Sequence, residues 1–222
     1  AGALADNDRT RRGRMMTTIP ILRYHSVSAD PAPWIAPYAV APANFARHVD
    51  LITASGRTAM TVSELCAALT GRRPLPHRPI VITFDDGFAD FAYAARVLSE
   101  HYLPSTVYLT TGALSGRGPR PTNMALPPAS MLDWSQLAEV CELNVEIGAH
   151  SHTHPQLDTL PPSAIAHEVL QSKEMLEDAL GFEVPSLAYP HGFHCAKTRR
   201  IVQSLGFTSA CAAMNAFSSS LD

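Results

Sequence analysis

Two aspartates stand side by side in the stretch Ile82–Phe88, "ITFDDGF", directly after an apolar, β-branched run. Adjacent carboxylates raise one another's pKa unless a cation compensates, so Asp85 and Asp86 either bind a metal or lie in solvent. Gly87 permits a sharp turn that lets both acids reach one cleft. A second polar group follows another apolar run: "AHSHTHP" holds His150, His152 and His154 after "VEIGA". A turn there can bring His150 and His154 onto one ion, at the ~2.0–2.1 Å of a zinc–imidazole bond, while His152 points elsewhere. Two imidazoles and a carboxylate with positions left open have the composition of a catalytic metal site, because closed structural sites fill all four positions. A third candidate is His25, in "LRYHSV". A fourth is the turn in "AYPHG", where Pro190 and Gly192 set a tight bend whose backbone N–H groups could face an anionic intermediate, making Tyr189, Pro190 and His191 candidate substrate or oxyanion residues. Each has a plain structural reading: a solvated turn, a fortuitous histidine tract, a hydrogen-bonded core histidine, a strand-to-helix bend. Their common location argues for chemistry.

That location is the carboxyl end of a strand, where α/β folds carry their functional groups. Strands are predicted over Ile19–His25, Pro79–Phe84, Ser105–Thr111, Val145–Ala149, Ser186–Pro190 and Phe207–Ala212, with a weaker one over Arg57–Thr61. Helical spacing lies between them. Phe45, Val49 and Ile52 share a face, Ala94, Val97 and Leu98 form a stripe, and Thr61 or Ser63 caps a helix bearing Leu65 and Leu69. The clearest helix opens at Pro161–Pro162, carries Ile165, Val169, Leu176 and Leu180, and stops at Gly181. This alternation predicts an α/β fold, either a parallel barrel or an open sheet. The Pro- and Gly-rich stretch Ser115–Ser130 reads as a surface loop near the working face.

Composition narrows the function. The chain has 222 residues, 46% of them hydrophobic and 17% charged, which suits one folded domain over residues 15–222. Net charge is −3, and apart from the run Arg9–Arg14 the basic residues are scattered, which argues against nucleic acid. Cys66, Cys141, Cys195 and Cys211 show neither a metal-knuckle nor a redox spacing and read as buried thiols. No apolar run approaches the ~18 residues of a transmembrane helix, and no signal-peptide pattern is visible, so cytoplasmic and envelope locations stay open. Residues 1–14, ahead of Met15 and Met16, read as a disordered leader or cloning remnant.

The order of motifs, "TFDDG", then "HSHTH", then a Pro-Gly turn after the next strand, resembles that of the NodB-like polysaccharide deacetylases, carbohydrate esterase family four. The likeness spans roughly residues 19 to 212, with His150, Ser151 and His154 matching the second motif H-[ST]-x-x-H. It implies a distorted (β/α)7 barrel and one divalent metal ion, zinc foremost and cobalt or nickel in some members, held by Asp86, His150 and His154. It implies Asp85 as general base and an N-acetylated glycan as substrate. The third motif departs from the family's, with Ala188 in the place of an arginine that pairs with the base and His191 in that of a tyrosine. The late leucine–histidine motif that supplies the acid is also absent. However, "ILRYHSV" resembles the branch acting on poly-N-acetylglucosamine, in which a first-strand histidine is the acid, and that implies His25. Hydrolysis of a non-sugar amide or cyclic imide, and carbohydrate binding without catalysis, remain as alternatives.

Overall fold

Proline decides how the first strand is built. In the computed structural model, which describes residues 18–213 together with 218 and 219, the predicted strand over Ile19–His25 is split into β1 (Thr18–Ile19) and β2 (Ile21–Tyr24). Pro20 has no N–H for a ladder, and its carbonyl instead accepts from Val81 N–H. The leader predicted over residues 1–14 lies outside the described residues. The chain continues through α1 (Pro42–Ala54), β3 (Thr58–Met60), α2 (Val62–Leu69), β4 (Pro79–Phe84), α3 (Phe91–Glu100) and β5 (Ser105–Leu109). It then runs through α4 (Leu137–Glu142), β6 (Val145–Ala149), α5 (Pro162–Leu180), β7 (Ser186–Ala188), α6 (Ala196–Ser204), β8 (Ser209–Cys211) and β9 (Ser218–Ser219).

Seven strands form one parallel sheet in the order β2-β4-β5-β6-β7-β8, with β3 also paired to β4. β1 and β9 make a separate antiparallel pair. On β4, Ile21–Tyr24 pair along one edge, while β3 and β5 share the other, β3 at the start of the strand and β5 at its end. Among the described residues β8 does not pair back to β2, so the sheet curls without closing. This is the distorted (β/α)7 barrel that the resemblance implies. α4, α6 and the strand β9 were not foreseen, and the strands at Ser105, Ser186 and Phe207 are shorter than predicted.

The helices form where their apolar faces find the sheet. Phe45, Val49 and Ile52 of α1 are buried as a stripe, and α2 begins with a capping box in which the Thr61 hydroxyl accepts from Glu64 N–H and the Glu64 carboxylate accepts from Thr61 N–H. Gly181 ends α5 in the left-handed region at φ 76°. All six residues of β4 are buried, as expected of a parallel strand covered on both sides. Alternate residues feed two cores. Ile82, Phe84, Leu109 and Ile147 pack against the outer helices, whereas Val81, Tyr108 and Ala188 pack with Met60 and Leu65 inside the curl. Each fully buried Val, Leu, Ile, Phe or Met among them contributes roughly 1.5–3 kcal/mol.

Two packing details set the position of the functional strand ends. Phe84, the last residue of β4, is gripped by Phe91, Tyr24 and Phe45 at ring distances of 4.8, 5.2 and 5.9 Å. On β6, a Cβ at Gly148 would lie 2.4 Å from the Tyr108 ring, so only glycine lets β5 and β6 approach here. The four cysteines are free and half-buried rather than buried. No helix among the described residues is long and apolar enough to cross a membrane.

Candidate metal centre

At the carboxyl end of β4 the backbone turns through left-handed conformations at Asp86 (φ 75°) and Gly87 (φ 88°). Gly87 accommodates this freely, whereas Asp86 takes it at a cost. Three more non-glycine residues in the same cleft adopt positive φ: Ser151 (62°), His154 (64°) and His191 (60°). Each such residue costs on the order of 1–3 kcal/mol, and strain of this kind collects where function over-determines the backbone.

The turns bring Asp86, His150 and His154 together. All three are buried, and their ligand atoms lie within 4.8 Å of one another. Asp86 Oδ1 is 3.5 Å from His150 Nε2 and 3.2 Å from His154 Nε2, yet has hydrogen-bond geometry to neither. The tautomer of His150 explains why this arrangement needs a cation. Its Nδ1 is 2.8 Å from the Ala188 carbonyl, which can only accept, so Nδ1 carries the proton and Nε2 presents a lone pair to Asp86. Burial pushes the His150 pKa down to about 3, so protonation does not bridge the two groups at neutral pH. Two buried lone pairs aimed at one point are unfavourable unless a cation lies between them. The residues fit a divalent ion, with the Ala188 carbonyl orienting one ligand from behind. Thus Ala188, where the related motif has arginine, contributes through its backbone.

Asp85 follows Phe84, donates its N–H to the Tyr24 carbonyl and stays outside the three-residue cluster. Its burial, then the neighbouring Asp86, raises its pKa to about 7, with Arg23 opposing weakly. A carboxylate so poised suits proton transfer near neutral pH. His25 lies one residue beyond β2, its Nε2 4.0 Å from Asp85 Oδ2, with its ring 5.5 Å from that of the exposed Tyr38. Burial lowers its pKa, so it rests as neutral imidazole.

The Tyr189–Gly192 turn is narrower in its possibilities than its sequence suggests. Tyr189 N–H donates to the Cys211 carbonyl and Gly192 N–H to the Tyr189 carbonyl, while Pro190 has no N–H. Of Tyr189, Pro190 and His191, only His191 has an amide free of backbone partners among the described residues, and its ring lies 4.7 Å from that of His154. His152 points away, its Nδ1 2.9 Å from Thr111 Oγ1.

Several groups that shape the site were not singled out in the sequence. Thr111 and Gly112 donate their N–H groups to the carbonyls of Ser151 and His152, and Ala125, in the Pro-rich loop, donates to the carbonyl of Thr153. Ser26 donates to Asp90 at 2.5 Å, tying the residue after His25 to the acidic segment. Glu168 of α5 accepts from the backbone N–H groups of His152 and Thr153. Only Glu168 left a sequence signal, an acid within the buried stripe Ile165, Val169, Leu176.

A profile of the family described as "Polysaccharide deacetylase" matches residues 72–210. YxkH of Bacillus subtilis (strain 168), a protein named for polysaccharide deacetylation, is 23% identical over 190 residues, covering 85% of this chain and 62% of its own. The chain therefore spans less than two thirds of that relative. Among solved structures, the Streptococcus pyogenes deacetylase PplD in complex with acetate superposes with a TM-score of 0.73 at 23% identity, covering 87% of this chain and 82% of that one. IcaB from Ammonifex degensii gives a TM-score of 0.74 at 25% identity, covering 86% and 81%.

Proposed function

The chain belongs to the polysaccharide deacetylase family, and on that premise we propose that it is a metal-dependent hydrolase removing N-acetyl groups from amino sugars of a glycan. The observation that carries the reading is the convergence of Asp86, His150 and His154 beside a carboxylate, Asp85, that stays out of the cluster. Under this reading those three residues hold one divalent ion, zinc foremost. Bound there, the ion would supply Lewis acidity to polarise the acetyl carbonyl and acidify water.

The remaining steps belong to the chain. Asp85 takes the proton from the attacking water, a role its raised pKa suits. The amide of His191 is the turn's candidate donor to the developing oxyanion. His25 delivers a proton to the departing amine, which is otherwise a poor leaving group, and its half-buried ring beside Asp85 allows a proton to pass between them through one water. This assignment follows the poly-N-acetylglucosamine branch, in which the acid comes from the first strand.

The test is acetate release from N-acetylglucosamine oligomers by protein stripped of metal and then reloaded with zinc, cobalt or nickel, compared with Asp85→Asn. Activity restored by metal and lost in the variant supports the reading. Metal uptake and oligomer binding without acetate release favour the second reading, a carbohydrate-binding relative, for which Ala188 in place of the paired arginine is the specific observation.

A further inference from the structure

Glu168 is an acid on the wrong side of its helix. It lies between Ile165 and Val169 on the buried face of α5, only 8% exposed, and makes no ion pair among the described residues. Its carboxylate is consumed by two residues. Oε2 accepts from His152 N–H at 3.0 Å and Thr153 N–H at 2.8 Å, and Oε1 accepts from the Thr153 hydroxyl at 2.6 Å. His152 and Thr153 are the middle of the loop whose ends are His150 and His154.

The loop's peptide groups are held from two directions. The carbonyls of Ser151, His152 and Thr153 accept from Thr111, Gly112 and Ala125, on the side of β5 and the Pro-rich loop. The N–H groups of His152 and Thr153 both turn the other way, to Glu168, and His154 N–H is taken by Ser151 Oγ. A flip of either central peptide would reverse this polarity and swing the His154 ring. With Ser151 and His154 both in the left-handed region, the loop needs partners that favour this arrangement over a relaxed one.

We infer that Glu168 is a positioning residue for the metal centre, fixing from α5 the loop that aims His150 and His154 at one ion. The inference rests on the reading of Asp86, His150 and His154 as metal ligands. It assigns the effect to hydrogen-bond reach, not to the charge. Glutamine keeps the reach and an accepting oxygen; aspartate keeps the charge but falls one methylene short.

The experiment measures zinc affinity by competition with a chromophoric chelator, and the visible absorption of cobalt-loaded protein, for wild type, Glu168→Gln, Glu168→Asp and Glu168→Ala. Melting of each chelated protein is recorded alongside. Glu168→Gln is expected to stay near wild type. The alanine and aspartate variants are expected to weaken zinc binding by about 10–100-fold and to alter the cobalt spectrum at temperatures well below melting, which a merely structural residue would not do. If the alanine variant fails to fold, Thr153→Val, which removes one donor, should show the same loss at smaller size. Alanine and aspartate variants that bind zinc as wild type does, or a glutamine variant as weak as alanine, overturn the inference. A wild-type protein that takes up no zinc overturns the metal-site reading as well, and is thereby told apart from a failure of Glu168 alone.

Discussion

Asp85 Oδ2 lies 4.0 Å from His25 Nε2, a contact produced by strand register. Tyr24 pairs with Phe84 across the parallel β2–β4 ladder, so the residues that follow emerge side by side at the same sheet end. The proposed base and acid are thus neighbours by topology, and the aromatic packing around Phe84 holds one of them in place.

Asp85→Asn and His25→Ala should each lower turnover by about 10²–10⁴-fold, the usual contribution of a positioned proton-transfer group. Neither residue belongs to the three-residue cluster, so both variants should keep zinc. Acetate release per zinc-loaded molecule is the measurement. Loss of zinc from the Asp85 variant would contradict the division of labour between the two aspartates.

His150→Ala and Asp86→Asn should lose zinc, since each removes one of the three converging groups proposed to hold it. In wild type, zinc at a hundredfold excess over its Kd should stabilise the fold by about 2.7 kcal/mol, and a chelator should remove that gain. Calorimetric melting with and without chelator reads this directly. The two variants should melt at one temperature in both conditions.

The chelated protein should lose stability as pH falls below about 6.5, because folding holds His150 neutral down to about 3. Below the ordinary histidine pKa the unfolded chain binds a proton that the folded one refuses. Asp85 acts in the opposite sense: raised from 3.8 to about 7, it holds a proton in the fold that the unfolded chain releases, so it favours the fold at low pH across that window. Asp85→Asn removes this counterweight. Urea midpoints between pH 4.5 and 6.5 should therefore rise more steeply with pH in the variant than in wild type.

Gly148→Ala should destabilise the fold by about 1–3 kcal/mol, the usual cost of overpacking. The added methyl would meet the buried Tyr108 ring, and the strand has no room to retreat because β7 pairs on its other edge. Since β6 runs into His150 two residues later, zinc affinity should fall together with the melting temperature. An unchanged melting temperature would show that Tyr108 can yield.

Much of the fold was legible because its signals are local. Proline opens α5 and glycine closes it, and the apolar runs of β4, β5 and β6 mark strands buried on both sides. The boundaries were less legible where tertiary pairing sets them. Ser186–Ala188 and Ser209–Cys211 end where their partners end, and β9 exists only through its pairing with β1. α4 was missed because it is only six residues long, and α6 because it is polar along most of its length.

For the site, sequence alone determined the ingredients: two acids at one strand end, histidines at another, and a third histidine after the first strand, all recognisable by residue type and spacing. What only the tertiary structure decided was orientation. It assigned the lone pair of His150 through the Ala188 carbonyl, left His191 as the turn's free amide, and turned a helix glutamate towards the loop between the ligands. Such assignments depend on hydrogen bonds between segments far apart in the chain. Their directions follow from how the sheet curls, which no local pattern encodes.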